Sequence, residues 1–244
     1  KMYYEIYGKG KPLVLIHGGG STIESNWSAM LPLFAKHYKV IAAEMQAHGH
    51  TSDRDAPETF EQDADDVAAL LKHLNISKAS ILGFSNGGST AMQIAIRHPE
   101  IAEKIVVIAG AYLREGFIPG FFGWMESASL GNMPQPLQDA FLKINPDKAA
   151  LQNMHDKDAE RMRRFRDWKD SDLQAIQAPA LIINGDKDVI LNEHALKMSK
   201  LIPNAELIIL PGVHGACIGE VCAAIPGSKQ PEITAALVRE FLEK

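Results

Sequence analysis

The sequence predicts an α/β fold: a doubly wound, mostly parallel sheet flanked by helices, with a helical lid inserted between two late strands. Three observations predict it. Short runs nearly continuous in Val, Ile and Leu alternate with longer amphipathic stretches, the pattern of a parallel sheet covered on both faces. The chain has 244 residues, 46% hydrophobic and 23% charged, enough for one large globular domain with a substantial core. One stretch, 111–179, interrupts the alternation with helix-like pieces and a concentration of aromatic residues.

The strand candidates in order are "MYYEIY" (2–7), "PLVLIH" (12–17), "KVIAAE" (39–44), "ASILGF" (79–84), "KIVVIAG" (104–110), "ALIING" (180–185) and "AELIIL" (205–210). Helical patterns lie between them at roughly 26–37, 59–74, 87–98, 192–202 and 231–243. In 59–74 an acidic first turn precedes a single stripe of Val67, Leu70, Leu71 and Leu74, as expected of a helix packed by one face. Residues 1–110 and 180–244 therefore read as one core domain, and 111–179 as an inserted helical segment. Unstructured connections of that length are uncommon in compact domains. The segment reads as a lid, against the alternative of a helical layer that only packs on the sheet.

Composition removes several classes of function. A formal net charge of −5, with no run of Lys or Arg longer than two, offers no footprint for nucleic acid. No apolar segment approaches the ~20 residues that span a bilayer. Cys217 and Cys222 are the only cysteines, which excludes a disulfide framework and a four-thiolate zinc site but allows one local bridge in an oxidising compartment. The chain opens abruptly on strand-like alternation, so the biological protein is expected to begin earlier. A cytoplasmic location is the working expectation, with secretion or the periplasm left open. Oligomeric state is not readable from the sequence.

The stretch "SILGFSNGGSTAMQIAIRHPE" (80–100) sets Ser85 between Gly83 and Gly87 where an apolar run becomes a helical one. Glycine weakens both strands and helices, so its clustering here marks a turn that side chains would obstruct. Strand, G-x-S-x-G and helix in succession is the context of a nucleophile elbow, where a sharp turn lifts the serine hydroxyl clear of the backbone. The helix that follows aims its positive end at the serine and favours an anion there.

With "LVLIHGGG" (13–20), "GFSNGG" (83–88), "LIINGDKDVI" (181–190) and "LIILPGVHG" (207–215) in this order, the sequence resembles the α/β-hydrolase fold superfamily over nearly its whole length. The resemblance implies a Ser–Asp–His triad in that chain order, a lid where the aromatic insertion falls, and no cofactor or metal. Two places depart from the family's common pattern. "EMQAHGHT" (44–51) stands where D-x-R-G-x-G-x-S is frequent, and Asn86 occupies the position where iminopeptidase-like members carry tryptophan.

Ser85 is expected to be the nucleophile, activated by an adjacent base. Of the nine histidines, His214 follows the last strand on a glycine-flanked loop from which its ring can reach Ser85. Asp186 and Asp188 both follow "ALIIN", and residues two apart in an extended segment point the same way, so alternation does not separate them. The resemblance does: the family's acid stands three residues after the glycine, which selects Asp188 and leaves Asp186 as a turn former. The resemblance also implies an oxyanion hole from the backbone N–H groups of Gly19 and Asn86. Phe121, Trp124 and Phe165 are expected to roof the substrate. A zinc reading of His48, His50 and Asp53 in "HGHTSD" is weaker than that of a solvated loop, because the aspartate falls one position late.

The function expected is a carboxylesterase for small-to-medium hydrophobic esters, working through an acyl-enzyme on a small-molecule substrate, with no nucleic-acid or membrane partner. The alternatives are an iminopeptidase-like amidase, for which Glu115, Glu126 or Glu160 would bind the amine, a hydrolase of carbon–carbon bonds, and a slow-turnover ligand receptor on the same fold.

Overall fold

The computed structural model describes residues 1–244. Seven strands form one sheet: β1 (Tyr4–Tyr7), β2 (Lys11–Ile16), β3 (Tyr38–Ala43), β4 (Ala79–Phe84), β5 (Ala102–Ile108), β6 (Ala180–Lys187) and β7 (Ala205–Val213), in the order β1-β3-β2-β4-β5-β6-β7. β1 alone runs antiparallel; every other pairing is parallel. The helices are α1 (Ile23–Trp27), α2 (Leu31–Phe34), α3 (Phe60–His73), α4 (Asn86–Arg97), α5 (Phe121–Glu126), α6 (Gln135–Ile144), α7 (Lys148–Arg163), α8 (Asp170–Gln174), α9 (Asn192–Leu201) and α10 (Gln230–Glu243).

The unbroken apolar runs have a simple cause: alternate residues feed two cores. In β2, Val14 and Ile16 belong to the core that also holds Val67 and Leu71 of α3, Met92 of α4 and Met198 of α9. Leu13 and Leu15 face the other way, against Trp27, Phe34, and Val238 and Phe241 of α10. β3 turns from β2 toward one edge of the sheet and β4 lies on the other side of β2. This reversal opens a crevice beyond the carboxyl ends of β2 and β4, where α/β sheets bind ligands.

Three of the boundaries that differ from the sequence reading do so for an identifiable local reason. The helix expected over 26–37 is two short helices. Thr22 and Ser25 form a reciprocal capping box that starts α1 at Ile23, and Pro32 begins a new helix at α2. β5 stops at Ile108 because Ala109 takes a left-handed conformation, φ 51°. β7 runs on through Pro211 to Val213, which an edge strand tolerates because a proline there forfeits no ladder hydrogen bond.

Residues 111–179 hold α5 to α8. Met125, Ala159, Met162 and Phe165 build a small apolar core on Phe60 of α3. Phe141 is fully buried against Ala47, Leu151 and Met154. The last part behaves as sheet cover: Leu173 and Ile176 belong to the main core and Trp168 packs against it. Cys217 is buried, Cys222 is exposed, and both are free thiols, so the local bridge that their spacing allows is not formed.

Candidate active site

The turn after β4 is built as its glycines require. A Cβ on Gly83 would run into the Gly87 carbonyl, and one on Gly87 into the carbonyl of Ile16. Ser85 sits at φ 55° and ψ −119°, a conformation costly for a residue with a side chain. It is held there by its amide, which donates to the Ile108 carbonyl at 2.8 Å.

Three side chains from three strand ends meet at this turn. Ser85 Oγ lies 3.0 Å from His214 Nε2, and His214 Nδ1 lies 2.7 Å from Asp188 Oδ1. Asp188 Oδ1 also accepts from the Ile190 amide at 3.1 Å, and its side chain is almost wholly buried. His214 packs against Phe84, ring centroids 4.6 Å apart. The two candidate acids are separated by an irregularity in the β6–β7 ladder between Gly185 and Lys187, which defeats simple alternation. Asp186 is exposed and accepts from the Gly212 amide at 2.7 Å, bracing the loop that leads to His214 without touching its ring. The Gly19 and Asn86 amides donate to no acceptor within the protein, and both residues border the same cavity as Ser85.

That cavity measures about 400 Å³ and is lined mainly by hydrophobic side chains. Ser85 and His214 open into it, and Phe121, Trp124 and Phe165 line it together with Phe117, Met125 and Met162. Phe122, Phe141 and Trp168, three further aromatics of the insertion, do not border it. Its ionisable groups besides His214 are Asp158 and His155 of α7; no lysine or arginine reaches it. Glu115, Glu126 and Glu160 also lie outside it, Glu160 being tied to Arg163 and Arg164.

The zinc-like triplet disperses. His50 Nδ1 bonds Glu44 at 3.0 Å, Asp53 binds Lys157 at 2.8 Å, and His48 is buried. The solvated-loop reading is thus corrected at His48, whose Nε2 lies 3.3 Å from Asp158 Oδ2. Behind this pair Arg161 reaches Glu58 at 2.8 Å and Asp63 at 2.9 Å, all three side chains buried. The ionic cluster, which joins α7 to α3 and to the loop after β3, was missed in the sequence, although a signal for it exists. Asp158 and Arg161 interrupt the buried stripe Leu151, Met154, Met162 of α7, and a charge on such a face needs a buried partner.

Two adjacent buried histidines, ring centroids 4.8 Å apart, are shifted in opposite directions. Burial and the charge of His48 push His17 down to about 3. This fits a neutral ring that donates from Nδ1 to the Gly18 carbonyl and accepts the Met45 amide at Nε2. Burial would depress His48 as well, but the Asp158 carboxylate overcomes it and lifts His48 to about 9. Against its own burial, Asp158 is held below the usual carboxylate range by His48 and Arg161.

A pH dependence of stability follows. The unfolded chain protonates His17 near its ordinary 6.5 while the folded one refuses the proton down to about 3, so acidification through that window destabilises. His48 contributes fully below 6.5 and loses its contribution as pH rises toward about 9. Melting curves should show Tm falling between these two values, and His48→Gln should flatten that alkaline decline. An equal decline in the variant would assign it to other groups.

Comparison with known proteins bears on the fold and the family. A sequence model of the alpha/beta hydrolase fold matches residues 11–139. The chain is 38% identical over 109 residues to 2-hydroxy-6-oxo-6-(2'-aminophenyl)hexa-2,4-dienoic acid hydrolase of Metapseudomonas resinovorans, covering 43% of this chain and 38% of that protein. It thus spans less than two thirds of the length of that relative. Among solved structures, a serine hydrolase involved in carbazole degradation superposes with a TM-score of 0.80 at 26% identity, over 98% of this chain and 93% of the other. Est816, an N-acyl homoserine lactone degrading enzyme, superposes with a TM-score of 0.75 at 25% identity, over 98% and 96%.

Proposed function

We propose, from the premise that this chain is a serine hydrolase belonging to the α/β-hydrolase fold family, that it is a carboxylesterase for small-to-medium, uncharged hydrophobic esters. The observation that carries the reading is the apolar cavity into which Ser85 and His214 open. Small-molecule sites are concave, mostly apolar and furnished with a few polar groups.

In this reading Ser85 Oγ attacks the ester carbonyl and passes its proton to His214 Nε2. The developing oxyanion is received by the Gly19 and Asn86 amides, which have no competing acceptor in the protein. His214 then protonates the departing alcohol. Water, deprotonated by the same imidazole, releases the acid from the acyl-serine. Asp188 keeps the Nδ1 proton of His214 in place and stabilises the imidazolium. The insertion acts as a lid, with Phe121, Trp124 and Phe165 against the acyl chain.

The ionisable groups of the lining set this reading apart from two alternatives. A substrate that carries its own carboxylate, as the name of the dienoic acid hydrolase implies for that enzyme, calls for a cation. The cavity presents Asp158 and His155 and no lysine or arginine. Recognition of a free amine calls for a carboxylate free of other partners, and both oxygens of Asp158 are engaged.

A p-nitrophenyl ester series tests the proposal. Each buried methylene contributes ~0.8 kcal/mol, so kcat/KM for butyrate should exceed that for acetate by about tenfold. The palmitate ester should fall below butyrate. A palmitate optimum would overturn the closed, modest pocket, efficient release of N-terminal proline would favour a peptidase, and a single acylation without turnover would favour a receptor.

A further inference from the structure

We propose that Asp158, carried by α7 of the insertion, is a positioning residue for the oxyanion hole, a single carboxylate that clamps both of its halves. The inference rests on the reading of Gly19 and Asn86 as the oxyanion donors and extends it to a residue outside the motifs that carry them.

The geometry is specific. Asp158 Oδ2 accepts the amide of Gly20, next to Gly19, at 2.5 Å, and Oδ1 accepts Asn86 Nδ2 at 3.1 Å. One donor lies on the loop after β2 and the other at the start of α4, so the carboxylate fixes the spacing between two elements that share no other side-chain bridge at this point. Two side chains converge over Gly19: a Cβ there would stand 2.6 Å from Asp158 Oδ2 and 2.7 Å from Asn86 Nδ2. Glycine at that position is therefore needed for the clamp to close as well as for the amide.

A lone carboxylate this near a developing oxyanion would oppose the reaction. The structure neutralises it from behind. His48 Nε2 stands 3.3 Å from Oδ2, and Arg161 Nε lies 3.9 Å from Oδ1. Arg161 is anchored in turn by Asp63 and Glu58, from α3 and the segment before it. The Gly20 amide also lies 3.1 Å from His48 Nε2. With that ring protonated both N–H groups point at Asp158, and the carboxylate alone accepts. Both oxygens are thus engaged by the protein, which makes Asp158 a brace rather than a group that recruits substrate. The oxyanion hole is complete only when α7 is docked, so closure of the insertion and readiness of the hole are one event.

The test compares Asp158→Ala and Asp158→Asn with the unaltered chain on p-nitrophenyl butyrate. Two inhibitors are added: an alkyl trifluoromethyl ketone, whose hemiketal adduct with Ser85 places an anion in the hole, and the matching methyl ketone, which only fills the cavity. Loss of an oxyanion donor costs about 10²–10³ in kcat, so its misplacement in Asp158→Ala should lower kcat about 30-fold or more. KM and methyl ketone affinity should stay within threefold, and trifluoromethyl ketone affinity should fall with kcat. Asp158→Asn keeps one amide oxygen and the shape of the side chain, and should recover part of the loss. If the alanine variant does not fold, the asparagine variant carries the test. Unchanged kcat and trifluoromethyl ketone affinity, or equal weakening of both ketones, would overturn the clamp. An unaltered protein that neither turns over the ester nor labels at Ser85 with a fluorophosphonate would instead overturn the hydrolase reading beneath it.

Discussion

Replacing Ser85 by alanine is expected to lower ester hydrolysis by on the order of 10⁴-fold or more while leaving the fold intact. In the proposed reaction the hydroxyl forms the acyl-enzyme, and His214, 3.0 Å away, serves as its base. Stability should change little. The strain at Ser85 belongs to the backbone, with φ 55°, and alanine inherits it; the contact surrendered is the 3.0 Å hydrogen bond to a partly buried His214. Steady-state kinetics with butyrate ester and a thermal melt check both halves. Residual activity above a tenth of the starting value would remove Ser85 from its role.

The second large effect separates two neighbouring acids. Asp188→Asn should cost about 10³–10⁴-fold in kcat, because an amide facing His214 Nδ1 favours the wrong tautomer of the ring. Asp186→Asn should cost less than about threefold, since the asparagine oxygen can still accept the Gly212 amide that Asp186 now holds at 2.7 Å. Parallel kinetics on the two variants decide the matter. Equal losses would mean that the carboxylate acts through loop geometry, and the reverse order would move the triad to Asp186.

Much of this site could be read before any coordinates. The seven strands stand out because both faces are covered, and an apolar run that feeds two cores leaves an unmistakable trace in the sequence. Ser85 and His214 could be placed because their chemistry dictates local backbone: a turn crowded enough to demand Gly83 and Gly87, and a loop flanked by glycine. Asp188 could not be separated from Asp186 by periodicity, because the β6 irregularity that reorients them is a property of the pairing with β7 and has no signature in β6 itself. The buried ionic cluster was missed for a related reason. His48 and Asp158 are 110 positions apart, and in its own neighbourhood "HGHTSD" looks like any polar loop. His48 is buried within it, facing Asp158 of α7. The two-part helix at 23–34 was hidden by a reciprocal Thr22–Ser25 cap that does not follow the usual Ser/Thr-x-x-Glu form.

The bridge from α7 to the loop after β2 bears on how such a protein can change by recombination. Because β5 and β6 are neighbours in the sheet, the segment between them resembles a free cassette that could be exchanged for another to gain new substrates. The hydrogen bonds of Asp158 to Gly20 and Asn86 remove that freedom. A borrowed segment would bring new walls but no brace, and would leave His48 buried without the carboxylate that keeps its ring charged. Inheritance of the insertion is thus linked to that of a histidine 110 positions upstream, and chimaeras that exchange one without the other should be the poorly active ones.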